Sequence, residues 1–365
     1  MWLLNTRTYE LQNFVSGSSP PYAILSHRWG RNEVSFADMQ DLSVAQRRRG
    51  WEKVEKACWC ALNTFNCYWI WDDTCCIDKS SSAELSEAIN SMYAWYRAST
   101  ICIAYLHDVM DLDDDFPERA LASFRDSRWF TRGWTLQELI APLKLVFFST
   151  SWRELGTRMD WATVLEDITG IDANVLNRHG TDPEEPLSRK SVAERMSWAS
   201  RRETTREEDL AYCLMGVFNV HMPPIYGEGG EGAFRRLQLE IIQHTNDRSI
   251  LAWGHDVEDC CPIRSLPPGQ TYRLGTGDSH VWSPSRVFAP SPAYFSPKAN
   301  MRMKILNRDI AKLLNVEPIG ELHYTHTNAG IRIRLPLRRS SLYTVPPWAV
   351  APWLAREDQR VINWE

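Results

Sequence analysis

Four short apolar runs, Tyr22–Leu25, Tyr68–Trp71, Ile101–Leu106 and Leu143–Phe148, are separated by stretches long enough to hold a helix each. No other feature constrains the fold as much. Apolar runs of this length read as strands buried on both faces. Between them, Val54, Ala57/Cys58, Ala61/Leu62 and Phe65 recur at helical spacing. "AELSEAINSMYAWYRAS" reads as another helix, with Ser82 as its expected N-cap and Glu84 and Glu87 early enough to suit its dipole. Parallel strands need crossovers of this size, so the expected architecture is an α/β unit with one parallel sheet and helices on both faces. Ligands of such sheets bind beyond the carboxyl ends of the strands. Ser26-His27-Arg28 and Asp72-Asp73 follow two of these ends.

A length of 365 residues predicts two or three compact units. The sequence divides into residues 1–150 (the α/β core), 151–254 (mainly helical) and 255–365, a Pro/Gly/Ser-rich region with strand-like "AGIRIRLPL" and "SLYTV". A net charge of −5 and a pI near 6.0 argue against nucleic-acid binding, which needs a basic face to neutralise phosphates. The nine cysteines form no pair of CxxC motifs and no CxxC with HxxxH, so no metal site is expected and reduced thiols are the reading. "MWLLNTRTYE" lacks the basic segment of a signal peptide, and no apolar run reaches the roughly 20 residues of a membrane span. A cytoplasmic protein is expected.

The stretch "SRWFTRGWTLQEL" carries the chemistry. If it is helical, Trp129, Gly133, Leu136 and Ile140 follow a stripe toward the core, while Trp134 and Glu138, four residues apart, share another face. Glu138 is therefore expected off the core, so that Glu138→Gln would cost within about 0.5 kcal/mol of stability. The plain reading is a solvated carboxylate beside a half-buried Trp.

"PPYAILSHRWG", "WDDTCCIDKSSSAELSEAINSMYAWYR", "SRWFTRGWTLQELIAP", "RMSWASRRETTREEDLAYCLMGVF" and "MPPIYGEG", in this order, resemble the fungal heterokaryon-incompatibility (HET) domain. HET domains in turn resemble the Toll/interleukin-1 receptor (TIR) fold, a flavodoxin-like parallel sheet. "RGWTLQEL" is similar to the TIR helix "S-x-W-C-x-x-E-L", whose Glu is catalytic in members that cleave NAD. That position is Glu138 here, and the Cys of the pattern is Thr135. The resemblance implies a cytoplasmic inducer of cell death after non-self recognition, acting through self-association and an upstream sensor. Two roles stay open: a nucleosidase with NAD as substrate and no bound cofactor, or a non-enzymatic assembly module.

Cleaving the ribosyl–nicotinamide bond proceeds through an oxocarbenium-like state that one carboxylate can stabilise. Around Glu138, the candidate contacts at the end of the first run are Ser26, His27 and Arg28 for phosphates. Capping of the strand end is the alternative for His27, and Trp29 beside them is a further binding candidate. Asp72, Asp73 and Asp78 are candidates for ribose hydroxyls or for bracing their loop, and Trp95 and Trp134 for stacking on a ring. Cys76 with His27 suggests a thiol nucleophile, but nothing supplies an orienting third residue. "YGEGGEG" reads as a helix start rather than a phosphate cradle, since it lacks the Lys-Ser/Thr of a P-loop.

Overall fold

In a computed structural model of the chain, the residues described are 1–15, 17–111, 117–177, 185–245, 247–251, 253 and 288–295, with the backbone of 325–327 and 330–332. The chain begins with a hairpin absent from the expectation. Strands β1 (Trp2–Asn5) and β2 (Leu11–Asn13) pair antiparallel around a turn in which Asn5 Oδ1 accepts from the backbone N–H groups of Arg7 and Thr8. Next come β3 (Ala23–His27), the short helix α1 (Leu42–Ala45), α2 (Trp51–Asn63), β4 (Trp69–Trp71), α3 (Ser82–Ala98) and β5 (Ile101–Tyr105). The helices α4 (Pro117–Arg125) and α5 (Thr135–Ile140) then lead to β6 (Leu145–Phe148) and β7 (Glu154–Thr157).

The seven strands form one sheet in the order β2-β1-β4-β3-β5-β6-β7. The four expected strands pair parallel throughout, β4 with β3, β3 with β5 and β5 with β6, whereas β1 and β7 add antiparallel at the two sides. The architecture is thus α/β, with a mixed sheet around a parallel centre. Strand ends differ from the expectation in informative ways. The first strand runs on through Ser26 and His27, because its pairing continues to His27 opposite Tyr105. Leu143 is half exposed ahead of β6, and Tyr68 is likewise exposed ahead of β4. The cap of α3 is Ser81, not Ser82: its Oγ accepts from the Glu84 N–H.

From β3 the chain moves outward to β4 through α2, then back past β3 to β5 through α3. Right-handed crossovers place these two helices on opposite faces. Helix α5 lies against both α3 and β3. The reversal between β3 and β5 is a topological switch point, where open α/β sheets form their crevice.

Helices Ala162–Thr169, Val192–Ser197, Asp209–Tyr212, Met215–Phe218 and Gly230–His244 follow, and their apolar side chains join those of the sheet in one buried cluster. "YGEGGEG" leads into the last of these helices, and Glu208 Oε1 accepts from the Gly227 N–H at 2.7 Å, so the segment is latched to its own protein. Thr325–Thr327 and Gly330–Arg332 pair antiparallel, the latter within "AGIRIRLPL". "SLYTV" lies outside the described residues. Seven cysteines, Cys58, Cys60, Cys67, Cys75, Cys76, Cys102 and Cys213, are buried free thiols. Among the described residues no helix is long and apolar enough to cross a membrane.

Helix α3 meets Met215–Phe218 at Gly216, where an added Cβ would stand 2.1 Å from Tyr93 Cβ. Gly216→Ala therefore forces the two helices apart. It is expected to lower stability by at least the roughly 1–3 kcal/mol of an overpacked core, read from the denaturant midpoint.

Candidate functional site

The side chains gathered at the carboxyl end of β3 come from four places: Ser26 and His27 on the strand, Asp72 and Asp73 after β4, Tyr96 on α3, and Trp129 with Glu138 around α5. Glu138 departs from the expectation. It is 4% exposed, and every residue of α5 from Thr135 to Ile140 is buried. A six-residue helix wedged against both α3 and β3 has no solvent face. The core stripe of Trp129, Leu136 and Ile140 is present, but the opposite face is covered too. Glu138 is not a solvated carboxylate.

A short polar chain partners it. Ser26 Oγ donates to Glu138 Oε2 at 2.5 Å and accepts from the Trp129 indole N–H at 2.9 Å. Burial pushes the Glu138 carboxyl up to about 7, the positive charge of Arg132 opposes this, Asp73 adds to it, and hydrogen bonds with Ser26 and Tyr96 oppose it. Near neutral pH the group therefore exchanges a proton readily, a property that an acid–base or electrostatic catalyst needs.

His27 and Asp72 are also buried, and Asp73 is partly so. Burial, with the negative charge of Asp73 second, lifts the Asp72 carboxyl to about 6, while Lys53 opposes the rise. Burial and the charges of Lys53, Arg132, Lys79 and His107 keep the His27 imidazole well below its ordinary value, hence neutral. Trp29 caps this group at the surface. Its indole N–H donates to both Asp73 oxygens at 3.0 and 2.9 Å, while Lys79 Nζ and the Arg132 guanidinium lie 3.9 and 4.9 Å from its ring centroid.

Other expected contacts sit elsewhere. Asp78 Oδ1 accepts from the N–H and hydroxyl of Ser80, so it braces its loop. Cys76 Sγ accepts from the Asp72 N–H at 3.4 Å and lies 4.0 Å from Cys75 Sγ, with no bond to His27. Trp95 packs edge-on to Trp71 and, with Trp2, Phe14 and Glu84, lines a separate cavity of about 330 Å³. The Trp134 indole N–H donates to Asp209 Oδ2 at 3.2 Å. Arg28 is half-buried next to Trp29.

Four participants escaped the sequence reading. Trp129 was expected only on the core stripe, and no motif marks Tyr96 or Arg132. Arg202 lay far away in "RMSWASRRETTREED", yet its buried Nη1 donates to the Arg132 carbonyl and to Thr135 Oγ1, each at 2.9 Å. Burial brings that guanidinium down to about 10, opposed by the charges of Cys213 and Glu138. A neighbouring strand-like bridge joins Arg132 to Glu203, with the Gly133 N–H donating to the Glu203 carbonyl at 2.8 Å.

Residues 22–120 match the family described as heterokaryon incompatibility protein (HET), and residues 232–361 match a domain of unknown function, DUF8212. The vegetative incompatibility protein HET-E-1 of Podospora anserina is 47% identical over 238 residues, which is 63% of this chain and 17% of that relative. The chain therefore matches less than a fifth of the relative's length. No solved structure is similar to it.

Burial of Glu138 has a sign that can be tested. A carboxyl raised from its ordinary 4.5 to about 7 gives its full stability below pH 4.5 and loses it as pH rises through 7. The loss is on the order of 3 kcal/mol. Asp72 adds a like loss between its ordinary 3.8 and about 6. Thermal melts should therefore show the protein less stable at pH 8 than at pH 5. Glu138→Gln should remove the part of that slope between pH 6 and 8, and should melt higher than the parent at pH 8.

Proposed function

We propose that the chain, whose residues 22–120 form a heterokaryon incompatibility (HET) domain, induces cell death after non-self recognition by hydrolysing NAD+ through a TIR-like site centred on Glu138. The observation that carries this reading is the Glu138 carboxyl itself. It is buried next to the switch point of the sheet, hydrogen-bonded by Ser26 and poised near neutral pH. Ionised, it supplies the negative charge that an oxocarbenium-like ribosyl group requires. Nicotinamide is a good leaving group, so no second acid is needed. The parallel strand order β4-β3-β5-β6 supports the TIR-like, flavodoxin-like part of the proposal. So does the place of Glu138 in "RGWTLQEL". The division into a TIR-like core (1–150), a helical extension (151–254) and a C-terminal region (255–365) belongs to the same proposal, as do the partners, further copies of the chain and an upstream sensor.

The ribose would reach Glu138 where Trp29 now covers Asp73. Displacing the Trp29 indole from Asp73 opens that path, and the Lys79 and Arg132 stacked on it are freed for the diphosphate. Self-association is the event that favours the open form. A second reading, an assembly module without chemistry, is favoured by the same burial of Glu138, because its carboxyl already has a structural partner in Ser26.

Nicotinamide release separates the two. Full-length chain, concentrated enough to self-associate, is expected to release nicotinamide from NAD+ at a rate that rises more than linearly with protein concentration. Glu138→Gln is expected to remain folded and to lose that rate by ~100-fold or more, the scale of removing a principal electrostatic stabiliser. An assembly module without chemistry would release nothing above background at any concentration.

A further inference from the structure

We propose that His27, Asp72 and Asp73 form a binding site for one first-row divalent cation at the carboxyl edge of the parallel sheet. His27 is 3% exposed, and among the described residues neither its Nδ1 nor its Nε2 has a hydrogen-bond partner. Oδ2 of the equally buried Asp72 has none either. Native proteins rarely leave such atoms orphaned, because each carries the full cost of desolvation with nothing in return. A bound ion gives a partner to one ring nitrogen and to the Asp72 carboxylate at once.

The geometry fits an ion better than a direct bond. His27 Nδ1 stands 3.9 Å from Asp72 Oδ1, and Nε2 stands 4.0 Å from Asp73 Oδ1, both too long for hydrogen bonds. One donor atom from each of the three residues can be chosen so that all lie within 4.8 Å of one another. Donors held at roughly 2.0–2.2 Å around one ion stand about 3–3.6 Å apart, so side-chain shifts on the order of 1 Å close the site. One ring nitrogen ligates and the other stays free for the second-sphere partner that metal-bound imidazoles keep.

The donor set defines the class of ion. One imidazole and two carboxylates suit Zn²⁺, Mn²⁺ or Fe²⁺, with positions left open for a ligand. Neighbouring cations are engaged elsewhere: Lys53 pairs with Glu33 at 2.6 Å, and Lys79 and Arg132 lie over Trp29. Asp73 accepts from the Trp29 indole, which leaves lone pairs on both of its oxygens. The thiol of Cys76 is turned to the backbone of Asp72 and Ile70 and takes no part.

The test needs no NAD+ and is independent of any hydrolysis. Full-length chain, freed of metal with a chelator, is titrated with Mn²⁺ alone and followed by electron paramagnetic resonance. The expected result is one Mn²⁺ per chain whose electron-spin-echo modulation reports an imidazole nitrogen. His27→Gln should abolish that modulation. Asp73→Asn, at the partly exposed rim where folding is least at risk, should weaken binding by at least the roughly tenfold that even an outer-sphere partner contributes. The proposal is overturned if no Mn²⁺ binds at millimolar concentration. It is equally overturned if folded His27→Gln keeps the nitrogen modulation, or if Asp73→Asn binds as tightly as the parent.

Discussion

A carboxyl group sealed from water at Glu138 sets the terms for what surrounds it. Moving such a group from water into an apolar interior is tolerable only if it is neutral or hydrogen-bonded. Both conditions are met at once: the proton is held to near neutral pH, and Ser26 supplies a hydrogen bond. Ser26 reaches it only because β3 continues two residues past its apolar run, and Trp129 reaches Ser26 only because the chain turns back ahead of α5. Strand length, helix entry and carboxyl charge state are therefore one problem with one solution.

The same reasoning extends outward through the charges. Two further carboxylates, Asp72 and Asp73, stand by a neutral buried imidazole, and their crowding raises Asp72 as desolvation does. Trp29 closes this group by donating to Asp73 while carrying two cations on its face. An indole held by one carboxylate and two cation–π contacts on a half-exposed loop is a cover that costs little to move, each contact being worth about 0.5–1 kcal/mol at such a site.

The helical half of the described chain is part of this arrangement rather than an appendage. Arg202 ties the start of α5 by binding the Arg132 carbonyl and Thr135, Asp209 holds Trp134, and Glu203 bridges to Arg132 and Gly133. Buried Arg158 does the same at the other end of α5, donating to the carbonyls of Leu139, Pro142 and Leu143. Of these acceptors the Leu139 carbonyl lies in the last turn of α5, where a helix leaves its carbonyls without an internal partner.

By itself the sequence determined the alternation of strands and helices, the parallel pairing of the four apolar runs, and the neighbourhood of Ser26, His27, Asp72, Asp73 and Glu138, because hydrophobic period and crossover length are local properties of the chain. The hairpin at Trp2–Asn13 was not legible, since its strands are short and its pairing partner β4 is remote in sequence. The tertiary structure alone decided that Glu138 is buried, that Asp78 takes the bracing role of its two readings, and that the Trp134 indole N–H pairs with Asp209 and Trp95 packs on Trp71. The physical reason is that helical periodicity names the face that meets one neighbour. It cannot count the neighbours, and α5 has them on every side.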